Sequence, residues 1–393
     1  MPKFSRNWSA GLSKNAIILS LTSLFGDIST EMLYPVLPVY LTQTLKAGGG
    51  VLGLIEGMAQ ATQNIAQGFS GYFSDKWQRR KPVALAGYIL AAIAKPFIGI
   101  AGNWQLVLGA RVADRLGAGT RSAPRDALIA ASVEEKYRGK AFGLEGLGDN
   151  LGAFLGPVIT VLLFISLQLD IHVIFYLAFI PGIIAALLVF FVKEAKVRVE
   201  AKSKIDLHFR QFPGSYWKYL LVTTLFGIGN SSNSFLILQL KGKGLSLTAT
   251  VLIYAIFNLL AAFISYPAGS LSDRLGRKPL LLVAFIIFFV SYAGFAFAPG
   301  VLFTGVLFVF YGLFQGIFRS VGKSLAADLV PAPLRASGVG WYATTVGIAG
   351  LFASIVAGQL WDKVGHTAVF AYGAMVSLTG IIALSLLKTG GRV

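Results

Sequence analysis

The segment GYFSDKWQRRKP at residues 71–82 returns as GSLSDRLGRKP at residues 269–279. Asp75 and Asp273 are 198 positions apart, and the same offset relates Arg121 to Arg319, Ser122 to Ser320 and Arg125 to Lys323. The offset is 197 between Arg138 and Arg335 and between Gly143 and Gly340. An offset kept across several elements marks an internal repeat, so the chain is built as two related halves. Parallel repeats in a membrane protein are related by an axis along the membrane normal and leave a solute path between them.

Each copy of the segment is a short basic loop between apolar stretches. A bilayer-crossing helix needs about 20 apolar residues. Such stretches fall near 15–41, 50–73, 82–101, 104–130, 140–167, 172–192, 217–240, 247–270, 279–297, 300–327, 336–360 and 367–387. The predicted fold is an all-α membrane protein with twelve transmembrane helices in two pseudo-symmetric six-helix bundles. The first bundle covers residues 1–192 and the second 217–393, joined by a charged linker at 193–216. Composition agrees: 55% of the 393 residues are hydrophobic and 13% charged, at a mean hydropathy of +0.70. A soluble domain carries about 25% charged residues, and a polar skin could not cover this much apolar surface. Lipid is the solvent that fits. The 45 glycines and 30 phenylalanines suit close helix packing and lipid contact. The first apolar stretch is too long for a signal peptide and has no small-residue cleavage site, so it reads as the first span.

The formal charge of +17 would suggest nucleic acid in a soluble protein. Here the placement of the charge decides otherwise. With the N-terminus inside, Lys46, Lys241, Lys243 and Lys363 are the basic residues outside, and seven more lie within spans. The rest of the 34 occupy inside loops and termini, as the positive-inside rule requires. The expected location is the bacterial inner (cytoplasmic) membrane, multi-pass, with both termini cytoplasmic and no nucleic-acid partner. There is no cysteine, and His172, His208 and His366 show no ligand spacing. No metal site or cofactor is expected. No His-Glu-x-x-His motif or Ser/His/Asp set appears, so no enzyme is expected and no catalytic residue is assigned.

The repeated loop resembles the signature of the major facilitator superfamily, Gly-x-x-x-Asp-[Arg/Lys]-x-Gly-[Arg/Lys]-[Arg/Lys]. The first copy has Gly71, Asp75, Lys76, Arg79 and Arg80, with Gln78 in place of the glycine. The second is complete: Gly269, Asp273, Arg274, Gly276, Arg277 and Lys278. The resemblance implies that these loops act as a conformational latch on the cytoplasmic side, and that helices 1, 4, 7 and 10 line a central cavity. In helix 5, Gly143, Gly152, Gly156 and Pro157 match the spacing of a glycine motif of the drug/proton antiporter branch, while Thr160 and Val161 stand where that motif ends in Gly-Gly. These residues, with Asp149, are expected to pack helix 5. Arg111 and Gly117 resemble the helix 4 motif Arg-x-x-Gln-Gly-x-Gly, with Asp114 and Arg115 replacing its Gln-Gly.

A charge at the bilayer centre costs at least ~2.5–3.5 kcal/mol, so each one needs a reason. Asp27 and Glu31 share a face of helix 1 by their i, i+4 spacing. Two carboxylates so close in a low dielectric tend to hold a proton between them. Arg111, Asp114 and Arg115 share a face of helix 4 and could pair with them. These five are the expected proton-coupling residues. Asp149 is expected beside the helix 4 arginines, Lys95 is expected to snorkel to water, and Pro35 and Pro38 to bend the outer end of helix 1. The second half offers neutral groups at mid-membrane, Asn230 and Asn233 on helix 7 with Tyr311 and Gln315 on helix 10, and one cation, Arg319. These are the expected substrate-binding residues.

The functional expectation is a secondary active transporter working by alternating access, with proton-coupled efflux of a small amphipathic organic solute. Its expected partners are that solute, protons and the lipid bilayer, and the chain is expected to act as a monomer. The alternatives are proton-coupled uptake, transport of an organic anion or siderophore-like compound held by Arg111, Arg115 and Arg319, a metal-ion exporter, and a non-transporting membrane receptor.

Overall fold

The computed structural model describes residues 11–77, 79–134, 137–194, 212–331 and 334–387, without the side chains at 71–77, 139 and 336. The expected linker lies mostly outside these residues. Among the described residues there is no strand. The helices group into twelve segments: helix 1 Lys14–Thr44, helix 2 Gly49–Trp77, helix 3 Arg80–Gly99, helix 4 Trp104–Ser132, helix 5 Arg138–Leu167 and helix 6 Ile171–Phe190. The second half holds helix 7 (Gly214–Gly227 and Ser234–Gly242), helix 8 Leu247–Leu275, helix 9 Arg277–Phe297, helix 10 Val301–Asp328, helix 11 Arg335–Lys363 and helix 12 His366–Leu386.

Among the described residues, nine segments are long and apolar enough to cross a membrane by length and composition alone. Of the others, helices 2 and 4 are polar, and helix 7 is broken into pieces of 14 and 9 residues; helices 4 and 7 build the candidate site. Helices start where a side chain can take an orphan N–H. Ser13 accepts from Ala16 N–H, Asn103 from Leu106 N–H, Asp170 from His172 N–H and Ser246 from Ala249 N–H. Helix 1 is interrupted at Tyr34–Val36 and finishes in a π-helical turn at Tyr40–Thr44. Pro35 and Pro38 lack the N–H groups that would continue the ladder there.

Helix 1 packs on helices 5 and 6, helix 4 on helices 2 and 3, and helix 3 on helix 6. The second half repeats each pairing six helices on: 7 with 11 and 12, 10 with 8 and 9, and 9 with 12. The halves meet where helix 2 packs on helix 11 and helix 5 on helix 8, again a symmetric pair. Side chains keep the repeat too. Lys81 donates to the Phe190 carbonyl at 2.8 Å and Lys278 to the Leu387 carbonyl at 2.7 Å. Each lysine closes the end of its half's last helix, where a cation meets the negative end of the helix dipole.

Two small-residue seams set the close approaches. Gly148, Gly152 and Gly156 of helix 5 face helix 1, and a Cβ at Gly152 would stand 2.8 Å from the Asp27 Cβ. Gly49, Gly53 and Gly57 of helix 2 face Gly358, Ser354 and Leu351 of helix 11. Gly143, expected in the helix 5 seam, faces open space. Five residues separate it from Gly148, which turns it about 140° away at 100° per residue.

Candidate functional site

Among the described residues, the membrane-embedded charges near mid-span form two networks in the first half and a pair in the second, with Glu31 standing apart from both networks. The first network is dry. Asp114, fully buried, accepts from Lys95 at 3.0 Å, Arg111 at 3.0 Å and Arg115 at 2.8 Å. Arg111 also meets Glu56 of helix 2 at 3.1 Å, and Arg115 donates to Gln63 at 3.1 Å. Lys95 is 1% exposed and donates besides to the Ala91 carbonyl. It therefore does not snorkel: its stem turns inward because Asp114 offers a carboxylate there. Arg111 and Arg115 form no ion pair with Asp27 or Glu31 of helix 1, since Glu56 and Asp114 take their donors. Buried ions with several partners of this kind lock helices together.

The second network lies nearer the face that carries the basic loops. Arg125 meets Glu145 at 2.5 Å, Asp126 at 2.9 Å and Asp149 at 3.6 Å, and donates to Ser23 at 2.8 Å. Arg121 sits 3.5 Å from Asp27, with its guanidinium 4.4 Å from the centre of the Tyr88 ring. Asp27, Asp126 and Asp149 are partly exposed. Four carboxylates thus share two guanidinium groups, a surplus of two negative charges. The Tyr88 hydroxyl and Asp149 Oδ1 are buried without a hydrogen-bond partner. The glycine seam of helix 5 brings this arrangement about, since it lets the backbone beside Asp149 approach Asp27.

In the second half, Tyr311 donates within 3.2 Å of Asn233 and 3.3 Å of Asn230. Gln315 donates to Asn233 at 3.4 Å and to Tyr311 at 3.2 Å. Four of the five expected substrate-binding residues therefore form one cluster. The fifth, Arg319, lies one turn further along the same face. Along that face Tyr311 is buried, Gln315 partly exposed, and Arg319 and Lys323 exposed. Exposure along that face therefore rises toward the basic loops.

At the other end the halves touch. Tyr254 of helix 8 donates to Glu31 at 2.9 Å and stacks on Tyr34 of helix 1 with ring centres 5.4 Å apart. Tyr34 bonds Ser232 at 3.3 Å, and Arg111 lies 5.4 Å from its ring centre. Sequence reasoning missed Tyr34 and Tyr254. Their one signal was a phenol near mid-span, which a lipid-interface tyrosine also gives.

The expected latch is divided. Gly71 and Asp75 lie in helix 2, with side chains outside the described residues. Arg80 N–H donates to Glu194 at 2.6 Å, and Arg79 stands exposed at the start of helix 3. In the second copy Arg277 bridges Asp273 at 2.6 Å and Asp328 at 3.0 Å, tying helices 8, 9 and 10 of its own half, and Gly269 faces open space. Pro157 sits inside helix 5 and denies the Ala153 carbonyl its helical donor. Asn258 of helix 8 supplies one instead, at 3.2 Å.

Comparison with known proteins agrees with this geometry. The family model of the Major Facilitator Superfamily matches residues 19–261 and 219–391. An uncharacterized MFS-type transporter of Methanocaldococcus jannaschii is 32% identical over 382 residues, covering 95% of each chain. The multidrug resistance protein MdtG of Citrobacter koseri is 27% identical, over 72% of this chain and 71% of its own. Among solved structures, the nucleoside transporter NupG superposes with a TM-score of 0.80 over 96% of this chain and 100% of its own, at 17% identity.

Proposed function

The chain belongs to the major facilitator superfamily, and on that premise we propose that it is a proton-coupled secondary transporter of a small amphipathic organic solute. One observation carries the coupling: Asp27, Asp126, Glu145 and Asp149 share two guanidinium groups, and three of the four carboxylates are partly exposed. Ionisable groups inside a membrane, in excess over their counter-ions, mark proton and ion pathways. Phenols and amides on the cavity wall suit a solute with both apolar and polar parts. The basic face is assigned to the cytoplasm of a bacterial inner membrane, with both termini on that side and the chain acting as a monomer.

The contact pattern supports alternating access. The bonds between Glu31 and Tyr254, and between Tyr34 and Ser232, close the far face in this state. They must part for the cavity to open there, while the walls bearing Asp149 and Arg319 approach one another. Export is a second reading, favoured by the Gly152–Gly156–Pro157 contact of helix 5, which matches the antiporter spacing.

Membrane vesicles of both orientations test coupling and direction together. Solute accumulation is expected only under an imposed pH gradient. Asp27→Asn and Asp149→Asn are expected to retain exchange but lose accumulation. Wild-type accumulation in both variants would remove the proton role, and the vesicle orientation that accumulates reads the direction.

A further inference from the structure

The two halves keep the same basic ladder but not the same counter-ions. Arg121 and Arg125 of helix 4 correspond to Arg319 and Lys323 of helix 10. The first pair is surrounded by carboxylates. By the repeat offsets, Asp126, Glu145 and Asp149 correspond to Ser324, Tyr342 and Val346, and helix 7 carries no acid at all. Tyr342 instead stacks on Tyr219, with ring centres 5.8 Å apart. Among the described residues, Arg319 and Lys323 have no carboxylate within ion-pair distance and donate no hydrogen bond.

Depth makes this informative. Gln315 is at the middle of helix 10, and Arg319 is one turn from it. A guanidinium that deep needs compensation, and Lys323 one turn further repeats the charge on the same face. Arg111 and Arg115, the other arginines of the organic-anion alternative, are saturated by Glu56, Asp114 and Gln63. Among the described residues near mid-span, exposed positive charge without an acceptor therefore stands on the face of helix 10 that joins the Asn233–Tyr311–Gln315 cluster.

We infer that the transported solute carries an anionic group, a carboxylate or a phosphate, which Arg319 binds with Lys323 at the mouth of the cavity. Gln315 and Asn233 then meet the solute's neutral polar atoms, and the Tyr34 and Tyr254 rings its apolar part. The inference deepens the transport reading and rests on it.

The test uses matched probes on the purified full chain. Benzene, naphthalene and indole are each offered as the carboxylate, the carboxamide and the methylammonium, and ligand-dependent thermal unfolding is measured. The carboxylate form is expected to stabilise most. Arg319→Gln is expected to weaken its binding about ten- to hundred-fold, and Arg319→Lys to restore part of it. Stabilisation by the ammonium form, equal response to all three forms, or carboxylate binding that survives Arg319→Gln with Lys323→Gln would each overturn the inference. No pH gradient enters this assay, so a failure of proton coupling leaves its result unchanged.

Discussion

Asp362, at the end of helix 11, accepts the backbone N–H of Gly49 at 2.6 Å and also that of Gly50 at 2.7 Å. A carboxylate from one half thereby caps the N-terminus of helix 2 in the other. Such a cap favours the folded helix end through its dipole and is worth about 1 kcal/mol at an exposed site. It exists only while this face is closed. Asp362→Asn is therefore expected to shift the conformational equilibrium toward opening here by roughly five-fold. The chain has no native cysteine, so spin labels at Gln43→Cys and Val364→Cys can read the distance directly. An unchanged distance distribution would show that the cap does not hold the halves.

The Ala153 carbonyl, freed by Pro157, is a second bond between the halves. Asn258→Leu leaves that buried acceptor unpaired, which costs about 1–2 kcal/mol. Pro157→Ala supplies the missing helical N–H. The double variant is expected to recover most of the loss in thermal stability. Additive losses in the two single variants would sink this account of Asn258.

The two first-half networks are expected to respond differently to removal of one acid. Asp114→Asn deprives Lys95, Arg111 and Arg115 of their common partner and is expected to cost ~3–5 kcal/mol. Asp27 is partly exposed, and Asp27→Asn is expected to cost less than ~1 kcal/mol. Comparison of melting temperatures in detergent checks this. Equal losses would mean that the Asp27 network is as structural as the Asp114 network.

Helix 5 offers a contrast between glycines. A Cβ at Gly152 would meet the Leu24 carbonyl at 2.6 Å, and one at Gly156 the Glu31 Cβ at 2.9 Å. Alanine at either position is expected to destabilise by about 1–3 kcal/mol through overpacking. Gly143→Ala meets nothing and is expected to be neutral or to stabilise by up to ~1 kcal/mol through helix propensity. Thermal unfolding of the three variants ranks them.

The twelve helices were legible because hydropathy and the repeat report on single segments. The polar character of Asn230, Asn233, Tyr311 and Gln315 at mid-span was legible for the same reason, and the family resemblance put their two helices beside one cavity; that the four bond to each other is read from the structure. Partner choice was not legible. Periodicity puts Arg111 on a face of helix 4 but does not say that Glu56 of helix 2 will meet it before Glu31 of helix 1 can. Lys95 is near the end of helix 3, where snorkelling is ordinary, and only the position of Asp114 turns it inward. The cap made by Asp362 was not legible, because nothing local says that helix 2 begins beside it.

The central claim is that protons act on the first half through its surplus of carboxylates. When those groups are charged, they attract Arg319 and Lys323 across the cavity and favour closure at the basic face. Protonation removes that attraction. Spin labels at Lys140→Cys and Ser337→Cys, both exposed at that face, follow this without any solute. Across about pH 5 to 8, the wild-type distance is expected to shorten as pH rises, and the Asp27→Asn, Asp149→Asn double variant to show no pH response. A double variant that titrates like the wild type, or a wild-type distance that ignores pH, would contradict the claim.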